Sequence, residues 1–354
     1  MAKSIKQEST LFHKHKLPTT RYQGSKYKLR EWIKHSLEKL NFETAIDAFS
    51  GTSSIGYTLK EMGKEVYSND RLPFNFQVGK SLIENSSEKI TDEDFNDIIQ
   101  KHTDYNYLSF IEDTFHDIYY TDEENVWLDI VSQNIYQVKN EYKKAMLYWA
   151  LYQSCISKRP YNLFHRKNLY VRTSDVKRNF GNKTTWDKPF VEHFHKFVKE
   201  INNSVFDNGK NNKSFCGDIV DLEIKADLVY IDTPYIPKTG TLTIYGEFYH
   251  FLDGLTNYYN WKNEIDYNSK HKRLIPNYSI WEDKKNISSG FEQLIEKFQN
   301  SIIVISYRED GIPSIEEISE ILRKYNKKVH IETVDYKYVL SKKQDSKEVL
   351  IIAQ

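Results

Sequence analysis

Thr44-Ala45-Ile46-Asp47-Ala48-Phe49-Ser50-Gly51-Thr52-Ser53-Ser54 decides how the chain folds. Thr44 to Phe49 is a short, mostly apolar run with the length of a buried strand. Ser50 to Ser54 then supplies small polar residues around one glycine, the composition of a tight turn leading into a helix. Ile55 to Met62 continues as helix, Gly63 stops it, and Glu65-Val66-Tyr67-Ser68-Asn69-Asp70 reads as the next strand. This is a β-α-β unit, so its strands should lie parallel, joined by a right-handed crossover.

Ligands in open α/β sheets gather at the carboxyl ends of the strands. At that place Gly51 has no side chain to hold a ligand away from the backbone. Asp70 ends the second strand and can accept hydrogen bonds from both hydroxyls of a ribose. The loop Phe49-Ser50-Gly51-Thr52-Ser53-Ser54 lacks the glycine triplet of a dinucleotide site. A nucleoside cofactor without phosphates fits better, and S-adenosylmethionine is the obvious one.

Upstream of this unit, apolar residues at Leu29, Trp32, Ile33, Leu37 and Leu40 predict a helix from Lys28 to Leu40 with one buried face. Downstream, residues 86–125 are rich in acids and read as helices and loops, and 134–152 as one longer helical stretch. Lys158 to Lys188 holds nine Lys/Arg against two acids, with Tyr161, Phe164, Tyr170, Phe180 and Trp186 interleaved, and reads as loops and short elements. The strand-and-helix pattern resumes at Phe215. Leu228-Val229-Tyr230-Ile231 and Ser301 to Tyr307 are buried strands, and Ser314-Ile315-Glu316-Glu317 is a capping box opening a helix to Tyr325. Residues 329–336 and 349–353 read as terminal strands. The core is α/β, interrupted by a non-periodic insert.

The 354 residues carry 50 Lys+Arg against 50 Asp+Glu, so any nucleic-acid contact must come from local patches rather than overall charge. Cys155 and Cys216 make neither a disulfide framework nor a zinc site, and fit a reducing, cytoplasmic setting. His250 has no second ligand at a spacing that would hold a metal. The polar N-terminus shows no apolar signal core, and no apolar run approaches the ~18 residues of a membrane span.

Directly behind Leu228–Ile231 stands Asp232-Thr233-Pro234-Tyr235. An acid, a stiff turn and an aromatic ring at a strand end can grip a planar base bearing an amino group. The carboxylate and a turn carbonyl accept the two amine hydrogens, and the tyrosine stacks on the ring. The tetrapeptide resembles the catalytic D-P-P-Y motif of Dam-like DNA adenine methyltransferases. Arg21-Tyr22-Gln23-Gly24-Ser25-Lys26 resembles their N-terminal aromatic-x-G-x-K motif, Asp47 to Gly51 their first cofactor motif, and Phe215-Cys216-Gly217-Asp218 the acidic segment before their catalytic strand. The order of the motifs is also theirs. The resemblance covers most of residues 20–354 and is weakest across 80–210. Thr233 departs from it, standing where the family has proline and leaving a less rigid turn.

This resemblance implies a Rossmann-like S-adenosylmethionine-dependent methyltransferase fold, a mostly parallel sheet with helices on both faces. Residues 1–80 and 211–354 would form the catalytic domain, and 81–210 an inserted helical and loop-rich target-recognition region. Tyr22, Gly24 and Lys26 would meet the methionine part of the cofactor, with Lys26 near its carboxylate. Asp47, Phe49 and Gly51 would form the loop beneath it, Asp70 would hold the ribose, and Asp218 would bond the adenine amino group. Asp232, with a carbonyl of Thr233 or Pro234, would hold the target amine for direct in-line transfer. The target base would be flipped out of double-stranded DNA and stacked on Tyr235.

Within the basic insert, Arg159, Arg166, Lys167, Arg172, Lys177 and Arg178 are expected to meet phosphates or guanine edges. A restriction endonuclease acting on the same site would be the partner in a restriction-modification system. Other readings stay open on sequence alone. Methylation of the cytosine amine uses the same clamp, although those enzymes more often place serine first. Amide or RNA methylation would need no insert of this size and charge. A catalytically silent DNA-binding module would keep the fold without the chemistry. A nicotinamide enzyme is discouraged by the missing glycines.

Overall fold

The computed structural model describes residues 15–176, 183–238, 242–335 and 347–354. Among these, the strands are β1 (Thr44–Asp47), β2 (Glu65–Asp70), β3 (Lys213–Cys216), β4 (Leu228–Ile231), β5 (Ile236–Pro237), β6 (Ile302–Arg308), β7 (Gly311–Ile312), β8 (Val329–Asp335) and β9 (Lys347–Ala353). One seven-stranded sheet has the order β3-β2-β1-β4-β6-β9-β8, and β5 pairs with β7 apart from it. The run from β3 to β6 is parallel throughout. β9 is antiparallel to both β6 and β8, so the expected mostly parallel sheet carries an antiparallel edge.

Period-two alternation sends successive side chains to opposite faces, and both faces are buried. On β4, Leu228 and Tyr230 join one core, while Val229 and Ile231 join the other. The first core is covered by α1 (Arg30–Leu37) ahead of β1, by helices between β1 and β3, including α2 (Ser54–Glu61), α3 (Pro73–Gly79), Glu141–Ser157 and Phe190–Asn202, and by the later helix Tyr245–Thr256. The second is covered by helices Ile287–Lys297 and Ile315–Lys324. The Ser314 hydroxyl accepts the Glu317 N–H, and the Glu317 carboxylate accepts the Ser314 N–H, as the capping box predicts.

Two boundaries differ from the sequence reading. The first helix begins at Arg30, because Lys26–Lys28 coil into a 3-10 turn capped by Ser25. The stretch 134–152 is two helices, Asp122–Gln137 and Glu141–Ser157. Apolar positions run on across the break, which hid it. Asn140 is the local cause: its side chain accepts the N–H groups of Tyr142 and Lys143 at 3.0 and 3.1 Å and starts the second helix.

The chain proceeds from β1 outward to β2 and β3, then returns to place β4 on the other side of β1. This reversal opens a crevice at the carboxyl ends of β1 and β4, the position where such sheets bind ligands. Asp47 ends β1, Asp70 ends β2 and Asp232 follows β4, so topology alone collects three carboxylates at one rim.

Candidate active site

Backbone geometry opens the site. Gly51 adopts φ +49° in the turn after β1, and Gly24 adopts φ +83°, both in the left-handed region that favours glycine. A side chain at Gly24 would also strike the Tyr245 hydroxyl, 2.2 Å from an ideal Cβ. The Ser25 hydroxyl bonds those of Thr52 at 3.0 Å and Ser54 at 3.2 Å, tying the Tyr22–Lys26 segment onto the first β-α turn. Tyr22 is held by stacking on Tyr249 and Tyr245, with ring centres 4.4 and 5.6 Å apart.

The result is a cleft of about 870 Å³, open mouth included, lined by Tyr22, Gly24, Lys26, Asp47, Phe49, Gly51, Asp70 and the whole of Asp232–Tyr235. Eleven of the twelve residues expected at the catalytic and cofactor sites thus converge. The twelfth, Asp218, adjoins the wall: its Oδ1 accepts the Nε1–H of Trp281, which lines the cleft, at 3.4 Å. Trp281 meets Phe49 edge to face at 5.0 Å, forming an aromatic corner beside Asp218.

The acids have different local ties. Asp47 Oδ2 accepts the Gly56 N–H at 2.8 Å, inside the first turn of α2. Asp70 accepts the N–H of Gly51 at 2.9 Å and that of Leu72 at 2.9 Å, one on each oxygen. A carboxylate has about four lone-pair sites, so these bonds orient Asp70 and leave capacity for two hydroxyls. Burial pushes the Asp47 carboxyl up to about 7, with the Gly56 bond opposing and Asp232 and Asp70 repulsion adding. Burial also raises Asp70 and Asp232, against the hydrogen bonds to Asp70 and the Lys26 ammonium beside Asp232.

A raised native carboxyl gives a pH dependence with a definite sign. Asp47 favours the fold most below its ordinary value of 3.8, and that contribution is lost as pH rises towards 7. Asp47→Asn keeps an acceptor for Gly56 and removes the charge. Between pH 5 and pH 8 the wild type is expected to lose on the order of 2 kcal/mol more stability than this variant, since one pKa unit corresponds to about 1.4 kcal/mol. Parallel urea-unfolding midpoints across that range would contradict the assignment.

Around Asp232 the groups interlock. Lys26 Nζ lies 2.9 Å from Asp232 Oδ1 and 3.4 Å from Glu348 Oε1, and donates to the Tyr235 hydroxyl at 2.7 Å. Burial works against the Lys26 charge, but the Asp232 and Glu348 carboxylates outweigh it and hold the ammonium ionised. The same ammonium sits 4.8 Å from the Tyr235 ring centre, at the hydroxyl end of the ring. Thr233 is 3% exposed and its hydroxyl has no hydrogen-bond partner among the described residues. Proline's replacement therefore adds a buried polar atom as well as a softer turn.

Several contributors were invisible in the sequence. Asn75, Trp281 and Glu348 have no motif around them, whereas Tyr245 begins an aromatic cluster, Tyr245 to Phe251, that the sequence offers as a pocket lining. Asn75 would have been findable only through its place in the first turn of α3, just beyond Asp70. Its Oδ1 is buried in the cleft wall without a partner among the described residues.

The basic insert needs correction. Arg159 is 1% exposed, lies 4.4 Å from the Tyr119 ring centre, and donates to the carbonyls of Tyr119 and Leu163, both at 3.2 Å. Arg172 is 5% exposed and pairs with Glu124 at 2.7 Å, as Lys158 does at 2.8 Å. These arginines brace the interior and are not presented at the surface, where a DNA contact was expected. Tyr119 and Glu124, which help hold them, lie far away in sequence, so a run of positive charge read as surface. Arg166 and Lys167 are exposed, the latter paired with Asp117 at 2.8 Å. Lys177 and Arg178 lie outside the described residues.

Residues 22–321 match the family model of the D12 class of N6 adenine-specific DNA methyltransferases. The chain belongs to that class. As a D12-class enzyme it transfers a methyl group from S-adenosylmethionine to adenine-N6 in DNA. Among curated relatives, the type II methyltransferase M2.HphI of Haemophilus parahaemolyticus is 29% identical, with 94% of this chain and 96% of the relative covered. The modification methylase StsI of Streptococcus sanguinis is 29% identical and M.FokI of Planomicrobium okeanokoites 25%, each over 93% of this chain. The D12 chain here spans about half the length of those two relatives, 49% and 51%. No helix among its described residues is long and apolar enough to cross a membrane.

Proposed function

We propose that the cleft at the β1/β4 reversal is the methyl-transfer site of a sequence-specific modification enzyme, with Asp232 as acceptor for the target amine. The observation that carries this is convergence: Asp47, Asp70, Lys26 and Asp232–Tyr235, from four separate segments, line one cavity. S-adenosylmethionine supplies an electrophilic methyl group on a positively charged sulfonium. The buried Asp47 and the half-buried Asp70, the Asn75 acceptor that lacks a partner among the described residues and the Phe49–Trp281 corner suit a cationic nucleoside. Asp70 takes the ribose hydroxyls, Asp218 the adenine amine, and Tyr22, Gly24 and Lys26 the methionine end.

An aromatic amine is a weak nucleophile because its lone pair is delocalised into the ring. Asp232 accepts one amine hydrogen and a backbone carbonyl of Thr233 or Pro234 the other, turning the lone pair out of the ring plane. Such positioning of two reactants can supply roughly 7–11 kcal/mol of the barrier. Inside a duplex the amine is out of reach, so the adenine is flipped into the cleft, where the half-buried Tyr235 ring is the stacking surface.

Helices and loops of 81–210 form the target-recognition region in this reading. Exposed Arg166 and Lys167 are its candidate phosphate contacts. Lys262 and Lys270, either side of exposed Tyr267, are exposed as well and are further candidates. A restriction endonuclease of the same specificity is the proposed partner.

Expression in a methylation-free host, followed by modification-sensitive sequencing, tests the reading. N6-methyladenine confined to one sequence context is expected. Methylcytosine, or methylation scattered without context, would overturn it.

A further inference from the structure

Glu348 plays no part in the mechanism above, yet it is fully buried in the wall behind the amine clamp. It lies at the start of β9, opposite Arg308 of β6, two strands away from the one that Asp232 follows. Its Oε1 accepts the Ser306 hydroxyl at 2.8 Å and the Tyr235 hydroxyl at 2.9 Å, and stands 3.4 Å from Lys26 Nζ. Tyr235 also lies 2.8 Å from Asp232 Oδ1, but its one hydroxyl hydrogen can go to only one carboxylate at a time. Lys26 has three hydrogens for Asp232, Glu348 and the Tyr235 oxygen.

Two carboxylates therefore share one buried ammonium and one phenol. Asp232 must release part of this attachment to accept an amine hydrogen from the base. If it were the ammonium's sole counter-charge, that release would leave an unpaired buried cation, which is strongly unfavourable. We propose that Glu348 is a positioning residue that takes over Lys26 and the Tyr235 hydrogen as Asp232 turns to the target amine. No covalent step is involved: one ammonium hydrogen bond and the phenol hydrogen pass from Asp232 to Glu348. The inference rests on Asp232 being the amine acceptor.

Glu348→Gln tests it, because glutamine still accepts from Ser306 and Tyr235 but carries no charge. With S-adenosylmethionine and duplex DNA, E348Q is expected to lower kcat about 10-fold or more while KM for the cofactor moves less than about two-fold. Adding K26M should cost no further activity beyond K26M alone, since Glu348 acts through Lys26. An E348Q kcat equal to wild type, or a loss appearing only in KM for the cofactor, would overturn the proposal. So would strictly additive effects in the pair. If K26M does not fold, the kcat and KM split in E348Q decides alone. D232A is assayed in parallel. Its inactivity beside a fully active E348Q rejects only the Glu348 role, whereas a fully active D232A rejects the clamp itself.

Discussion

A chain carrying Lys26→Met is expected to unfold at a clearly lower urea midpoint, having lost roughly 3–5 kcal/mol of stability. The size follows from burial. Lys26 is 6% exposed and Glu348 is fully buried, with Asp232 completing the group. Methionine keeps an unbranched apolar stem over the Tyr235 ring, so packing changes little. What disappears is the ammonium shared by Asp232 and Glu348. Removing one partner of a buried pair costs far more than the pair contributes when intact, because the remaining charge stays desolvated. The double variant K26M/E348Q should recover part of the loss by removing one of the two carboxylates that faced the ammonium. A K26M midpoint equal to wild type would show that solvent reaches these carboxylates.

The sequence disclosed the fold wherever a local pattern had a local cause. The run Thr44 to Asp70 gave the β-α-β unit because strand length, the small-residue turn and Gly63 are all short-range signals. The capping box at Ser314 was legible for the same reason. Asp232–Tyr235 could be placed because an apolar strand precedes it, and motif order then fixed its neighbours in space. Glu348 could not be found this way. It acts across a strand pairing between β6 and β9, and a terminal strand reads only as apolar. The charges of 158–188 failed for a related reason: Arg159 and Arg172 are satisfied by Tyr119 and by Glu124, at least 35 residues earlier in the chain. Charge density along a sequence says nothing of what folds over it.

The activity of Asp232→Ala is the second large effect. Asp232 is at once the proposed amine acceptor and a counter-charge for Lys26. Alanine removes the acceptor, but Glu348 stays within reach of the ammonium, so the fold should survive. The proposed cofactor contacts at Asp70, Asp47 and the Phe49–Trp281 corner are also untouched. Loss of a group that positions and takes hydrogen from the nucleophile commonly costs about 10²–10⁴-fold in rate. The most direct test is single-turnover transfer of labelled methyl to duplex DNA by D232A, paired with calorimetry of S-adenosylmethionine binding. The expected result is transfer reduced at least ~10²-fold, with cofactor affinity within a few-fold of wild type. Transfer at the wild-type rate would contradict the amine clamp at Asp232.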